Sequence, residues 1–194
     1  MTPLSVEPMQ SSYYSDIRET LEKILVSFFE DEKLSQAIQS FIFAEFDYDV
    51  VLEGKYILII SIIESLSEYT NPTNKKDSRR LKYKIAPIIK DCWEIFKERI
   101  DVPDKSGCSI GNFVEILVNN RNAIAHYDKS EKKYIAEKIE TLYSVTESLK
   151  WIAYYLLLKR LGISKDICVQ RLKYNILKTK LRIKSTDFKN YKTK

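Results

Sequence analysis

The sequence predicts an all-α protein, an up-and-down bundle of about six to seven helices, and three observations carry that reading. Only four Gly and five Pro occur in 194 residues, too few chain breakers for the many turns of an all-β fold. Apolar side chains recur at three- and four-residue steps through most of the chain, the period of an amphipathic helix. Hydrophobic residues make up 44% of the sequence, enough for one well-buried core at this length, so a single domain is expected. The 13 Tyr and eight Phe are many for such a bundle and predict that some rings serve a second interface.

The elements follow in order. Residues 1–10 contain Pro3 and Pro8 and are expected to lack regular structure. Ile17, Leu21, Ile24, Leu25 and Phe28 fall on one helical face and predict a helix over Ser11 to Glu30. The acidic run Glu30, Asp31, Glu32 separates it from a second helix over Leu34 to Phe46. This pair reads as the remnant of a longer upstream region or as a cap on the bundle. Val50 to Tyr69 is apolar on nearly every side, so it is expected to be the central helix. Strand formers are plentiful in it, and its length and helical neighbours decide for helix.

A polar loop, Asn71 to Ser78, precedes a helix that Asp77 or Ser78 can cap and that runs to about Ile100. Pro87 is expected to kink it or to mark a fresh start. After a loop over Asp101 to Gly107, Phe113, Ile116, Leu117 and Ile124 define an amphipathic helix ending near His126. The longest periodic run follows, with Ile135, Ile139, Leu142, Thr146, Leu149, Ala153 and Leu156 on one stripe. Gly162 is placed to end it as a C′ glycine, and Ser164 to cap a last helix carrying Ile167, Leu172 and Ile176. Beyond Lys178 the chain is expected to be partly helical at most. The organisation that results is an N-terminal extension over 1–48, a helical domain over 49–178 and a basic tail over 179–194.

The formal net charge of +5 is localised. Lys178, Lys180, Arg182, Lys184, Lys189, Lys192 and Lys194 stand against the single acid Asp187, so the tail outweighs a nearly neutral body. Such a tail is ordinarily a solvated end; its functional reading is a non-specific phosphate contact, with Lys178, Lys180, Arg182 and Lys184 the candidate nucleic-acid-binding residues. Cys92, Cys108 and Cys168 are odd in number and contain no C-x-x-C, which predicts free thiols in a reducing compartment. One His and no paired Cys predict no zinc site, and no cofactor motif is present. The N-terminus has neither the basic residue nor the apolar run of a signal peptide. The longest apolar runs fall short of the roughly 20 residues a membrane span requires. A soluble cytoplasmic protein is expected.

The only histidine, His126, closes the stretch Gly111 to Asp128. At about 100° per residue, Asn122 and His126 lie one turn apart, close to opposite the stripe of Phe113, Leu117 and Ile124. Arg121 sits between the two faces, its stem able to pack while its fork reaches toward the histidine. Taken alone, the pair has an ordinary explanation: His⁺ suits the negative end of a helix, and Arg121 is solvated.

The string Arg121-Asn-Ala-Ile-Ala-His126 is an R-x4-H element with Asn directly after the Arg, and it resembles the signature of the HEPN superfamily of helical ribonuclease domains. LVNNRNAIAHYDKS is similar to the corresponding segment of the ApeA-like HEPN group. ILIISIIESLSEY resembles that group's upstream helix, and LLLKRLGISKDI, Leu156 to Ile167, its closing LG-turn-helix. The likeness runs from about Val50 to Leu177. It implies a HEPN-like bundle that dimerises with two R-x4-H helices facing across one cleft, and metal-independent endonucleolytic cleavage of RNA.

The residues suit that chemistry. RNA carries its own nucleophile, the 2′-hydroxyl, so a base, a charge clamp and an acid suffice. An imidazole titrates at about pH 6.5 in water, which fits His126 for base or acid. Arg121 can hold phosphate oxygens as charge develops on them, and Asn122 can orient the ring or donate to phosphate. One histidine per chain is one short if base and acid are both imidazoles, which a homodimer remedies. Val114, Val118 and Ala125 beside Arg121 fit a helix with a second partner surface. The expected product is a 2′,3′-cyclic phosphate.

Two further residues are candidate support. Glu64 follows the apolar run of the central helix and needs a cationic partner, either Arg121 or a lysine. Tyr127 follows His126 one position earlier than the modified Tyr of a toxin branch of this superfamily, so packing is its simpler role. The expected setting is antiphage defence or a toxin–antitoxin-like system, with RNA as substrate and an antitoxin or sensor domain as a possible partner. The alternatives are a non-catalytic HEPN-type module that binds RNA, a nucleotide or a protein, and an accessory domain of a longer polypeptide.

Overall fold

A computed structural model describes residues 18, 21–47, 49–67, 81–96, 100–101, 110–126, 139–178 and 183–184. Among them are seven helices: α1 (Leu21–Glu30), α2 (Glu32–Phe46), α3 (Leu52–Ser67), α4 (Leu81–Phe96), α5 (Ile110–His126), α6 (Ile139–Arg160) and α7 (Lys165–Lys178). Two short strands, β1 (Ile100–Asp101) and β2 (Ile183–Lys184), pair in parallel, Ile100 opposite Ile183 and Asp101 opposite Lys184. The protein is the all-α bundle that its periodicity predicts.

Two helices form the middle of the bundle. The apolar character of α3 on several faces is matched by its neighbours, since it packs against α2, α4, α5 and α6. Tyr56, Ile59, Ile60, Ile62, Ile63 and Leu66 are all buried there. The single stripe expected of α6 proves too narrow a description. Leu142, Thr146, Leu149, Ala153 and Leu156 are buried as predicted, but so are Val145, Ile152, Tyr155 and Leu157. This helix meets α2, α3, α4 and α7, so it needs an apolar surface on more than one side. Its first residue, Ile139, lies 71% exposed, beyond the end of the core. Ile135 lies outside the described residues.

Local chemistry sets the boundaries. Asp31, in extended conformation, is the N-cap of α2, and its side chain accepts the Leu34 N–H at 3.0 Å. The acidic break between the first two helices is therefore one capping residue. Arg160 at the end of α6 reaches the same carboxylate at 2.6 Å, anchoring the junction to the bundle. At the other end of α2, the Asp47 N–H donates to the Phe43 carbonyl.

Gly162 adopts φ 82°, its N–H donates to Lys159 O and the Ile163 N–H to Leu158 O. That pair of bonds is a Schellman termination, which requires the left-handed conformation that glycine adopts without a Cβ penalty. Ser164 then starts α7, its Oγ 3.5 Å from the Ile167 N–H and its carbonyl accepting from Cys168.

Pro87 does not mark a fresh start: α4 runs through it without a break. The carbonyl that loses its i+4 donor is that of Tyr83, an exposed residue, where water can replace the missing bond. The first helix is described from Leu21, and most of residues 11–20 lie outside the described residues, as do Asp77, Ser78 and Cys108. No residue of α1 is buried, and Leu25, Val26 and Phe29 are exposed; the helix rests on α2. Among the described residues no helix is long and apolar enough to cross a membrane.

Cys92 and Cys168 are free and buried. Burial pushes the Cys92 thiol up to about 12, with Asp91 adding to the rise, and pushes Cys168 up to about 11. The same desolvation raises the neighbouring Tyr155 hydroxyl to about 12. These are packing thiols rather than nucleophiles.

Candidate active site

The candidate site is carried by the last turns of α5. One face of this helix is committed to the core: Phe113, Val114, Ile116, Leu117 and Ala123 are buried. The helix packs against both α4 and α3. Trp93 of α4 meets the Phe113 ring at 6.1 Å between centroids, and Tyr56 of α3 donates its hydroxyl hydrogen to the Leu117 carbonyl at 2.8 Å. These contacts fix the rotation of α5 and hence what its other face presents.

His126 is exposed in the final turn, on the solvent side as the helical spacing predicts. Arg121 is half-buried. Its Nη1 donates to Asn122 Oδ1 at 3.3 Å, whereas its Nε is buried without an acceptor among the described residues. The structure therefore joins Arg121 to Asn122, one turn from His126, and the carboxamide oxygen of Asn122 is occupied by the guanidinium rather than by the imidazole.

Of the two partners left open for Glu64 the structure supplies the lysine, and one expectation, that for Val114, is corrected. Glu64 is not the partner of Arg121: its carboxylate meets Lys84 Nζ of α4 at 3.0 Å, because α3 and α4 pack side by side and bring that lysine within reach. Val114 does not contribute to an outer apolar surface. It is fully buried and Val118 packs against the core, since α5 is covered on two sides, and of the expected trio only Ala125 is exposed.

The chain after α7 includes a strand, and Lys184 stands in register with Asp101. The backbone of Lys178 ends α7, while Lys180, Arg182 and Tyr127 lie outside the described residues.

One residue was missed. Asn120 occupies the position between Leu117 and Ile124 on the apolar stripe, is only 4% exposed, and its Oδ1 has no donor among the described residues. A buried carbonyl oxygen left without a partner costs about 1–3 kcal/mol. The signal was available: a polar residue fills the one gap in an otherwise apolar i, i+3, i+4, i+7 pattern.

Among the described residues, no three His, Cys, Asp or Glu side chains gather closely enough to hold a metal ion. What the arrangement offers is a fixed positive fork, two carboxamides and an accessible imidazole within about two helical turns. Those groups suit the recognition of a phosphodiester and proton transfer beside it.

Comparison with known proteins agrees with this reading at the level of family. A family profile described as Apea-like HEPN matches residues 32–167, a stretch that contains α2 through α6 and the whole R-x4-H element. It starts earlier than the likeness in the motifs, taking in α2, and stops at the start of α7. The curated proteins and the solved structures gave no match.

Proposed function

The chain belongs to the ApeA-like HEPN family, and from that premise we propose that it is a metal-independent endoribonuclease acting as a homodimer in an RNA-cleaving defence or toxin-like system. The family assignment suggests an RNase-type or defence-related role. The finer reading is carried by one observation: the half-buried Arg121 and the exposed His126 project from the same end of α5, which the core holds in place through Phe113 and Leu117.

In the proposed mechanism the 2′-hydroxyl of the substrate attacks the adjacent phosphorus and the bond to the 5′-oxygen breaks, leaving a 2′,3′-cyclic phosphate. Arg121 stabilises the charge that develops on the non-bridging oxygens. One His126 accepts the 2′-hydroxyl proton, and the His126 of a second copy delivers a proton to the departing 5′-oxygen. The carboxamide of Asn122, which accepts from Arg121 before substrate arrives, can turn its NH2 to the phosphate. Substrates without the 2′-hydroxyl are not cut.

End-labelled RNA incubated with the purified protein in EDTA tests this. Cleavage to cyclic-phosphate ends that disappears in both His126→Ala and Arg121→Ala supports the enzyme. Wild-type protein that binds RNA without cutting it, or cleavage that survives either substitution, leaves the non-catalytic HEPN module as the better reading. Sedimentation tests the dimer, since a strict monomer leaves each site with a single imidazole.

A further inference from the structure

We infer that Asn120 is a positioning residue for Arg121, accepting the guanidinium's Nε–H when the side chain leaves Asn122 to grip a phosphodiester. The inference rests on the ribonuclease reading and names a group that reading does not use.

Two buried atoms on neighbouring residues of α5 are unpartnered among the described residues, and they are complementary. Asn120 Oδ1 is an acceptor without a donor, and Arg121 Nε is a donor without an acceptor. Asn120 shares its face with Ile116, Leu117 and Ala123, all buried, where a leucine would pack without an idle polar group. In the arrangement described, the guanidinium is held at one end only, by the 3.3 Å bond from Nη1 to Asn122.

A guanidinium that grips phosphate end-on commits both Nη groups to it. That grip takes one N–H of each Nη; as the fork turns to the phosphate it draws Nη1 away from the long 3.3 Å bond to Asn122, and its plane is set by whatever holds Nε. Asn120 supplies the buried acceptor on the adjacent residue. The carboxamide thus becomes satisfied in the substrate-engaged state, and the two asparagines flanking Arg121 divide the work: Asn122 parks the fork, Asn120 aims it.

The test uses the full chain and a 2′-O-methyl oligoribonucleotide, which presents phosphates but no free 2′-hydroxyl. In wild type the Arg121 Nε–H resonance in a ¹H–¹⁵N spectrum moves downfield on titration, and its exchange with water slows by about tenfold, the worth of one hydrogen bond. In Asn120→Leu the response is lost while the protein melts at or above the wild-type temperature. Asn120→Asp, which keeps an oxygen at the same place, retains the response. Should Asn120→Leu fail to fold, Asn120→Ala is read in the same way.

On cleavable RNA, kcat of Asn120→Leu falls about tenfold with KM within about twofold and the pH profile unmoved, as loss of transition-state orientation requires. An Nε–H signal that does not respond in wild type, or responds equally in Asn120→Leu, overturns the inference. Unchanged kcat in Asn120→Leu overturns it while leaving the ribonuclease standing. A wild-type Nε–H response that Asn120→Leu loses, without any RNA cleavage, supports the Asn120 contact and removes the ribonuclease.

Discussion

The hydroxyl of Tyr56 donates to the carbonyl of Leu117 across a buried interface at 2.8 Å. In an α-helix that carbonyl is also the acceptor for the backbone N–H four residues on, which is that of Arg121. The central helix is thereby bonded to the turn of α5 that carries the candidate phosphate clamp. Tyr56→Phe removes the bond and keeps the ring. It is expected to lower stability by about 1 kcal/mol in urea unfolding, and to reduce RNA cleavage by more than that loss explains. A variant as stable and as active as wild type would show that the bond positions nothing.

Arg121→Lys separates charge from geometry. Lysine keeps the positive charge but lacks the fork and the Nε donor, and that donor has no acceptor among the described residues. Cleavage is expected to fall by about 10²–10³-fold, the range for losing a preorganised donor at a developing oxyanion, with no loss of melting temperature. Activity close to wild type would remove bidentate phosphate recognition from the mechanism.

Lys150 ties α6 to α2. Its Nζ lies 2.7 Å from Glu147 and 3.1 Å from Glu45, and 5.0 Å from the centroid of the Trp151 ring. Burial works to lower its pKa, but the hydrogen bond and charge of Glu147, with those of Glu45, outweigh it and hold the ammonium above its ordinary range. Lys150→Met leaves two part-buried carboxylates facing each other and is expected to cost about 1–2 kcal/mol, discounted for partial exposure. Adding Glu45→Gln should recover part of that loss in a double-mutant cycle.

The thiols predict an alkaline limit to stability. The folded state raises Cys92 from 9.0 to about 12 and Cys168 from 9.0 to about 11, so the unfolded chain loses these protons first. Their contribution is complete below about pH 9 and is lost as the pH climbs toward 11–12. Melting temperatures measured from pH 7 to 11 should fall at the upper end, and less steeply in Cys92→Ala relative to its own neutral value. At pH 8, Cys92 and Cys168 should resist a thiol reagent until denaturant is added.

Gly162→Ala tests the junction of α6 and α7. Nothing lies within 4 Å of a Cβ built there, so the cost is purely that of holding alanine at φ 82°, about 1–2 kcal/mol. A neutral substitution would mean that the termination relaxes without glycine.

The helices, their terminations at Asp31 and Gly162, and the outward side of α5 were determined by local order. Capping chemistry, the left-handed glycine and the 3.6-residue period act over a few residues, so they can be read along a line. The R-x4-H spacing belongs to the same class, because one helix carries both side chains. What tertiary packing alone decided was which groups became partners. Glu64 found Lys84 instead of Arg121, Val114 turned into the core, α6 proved buried on several sides, and the residues after α7 returned to pair with β1. Each of these depends on two helices, or a helix and a strand, approaching from distant parts of the chain. Periodicity records that a face is apolar; only the assembled bundle shows what covers it, and that covering left an acceptor of Asn120 and a donor of Arg121 buried without partners among the described residues.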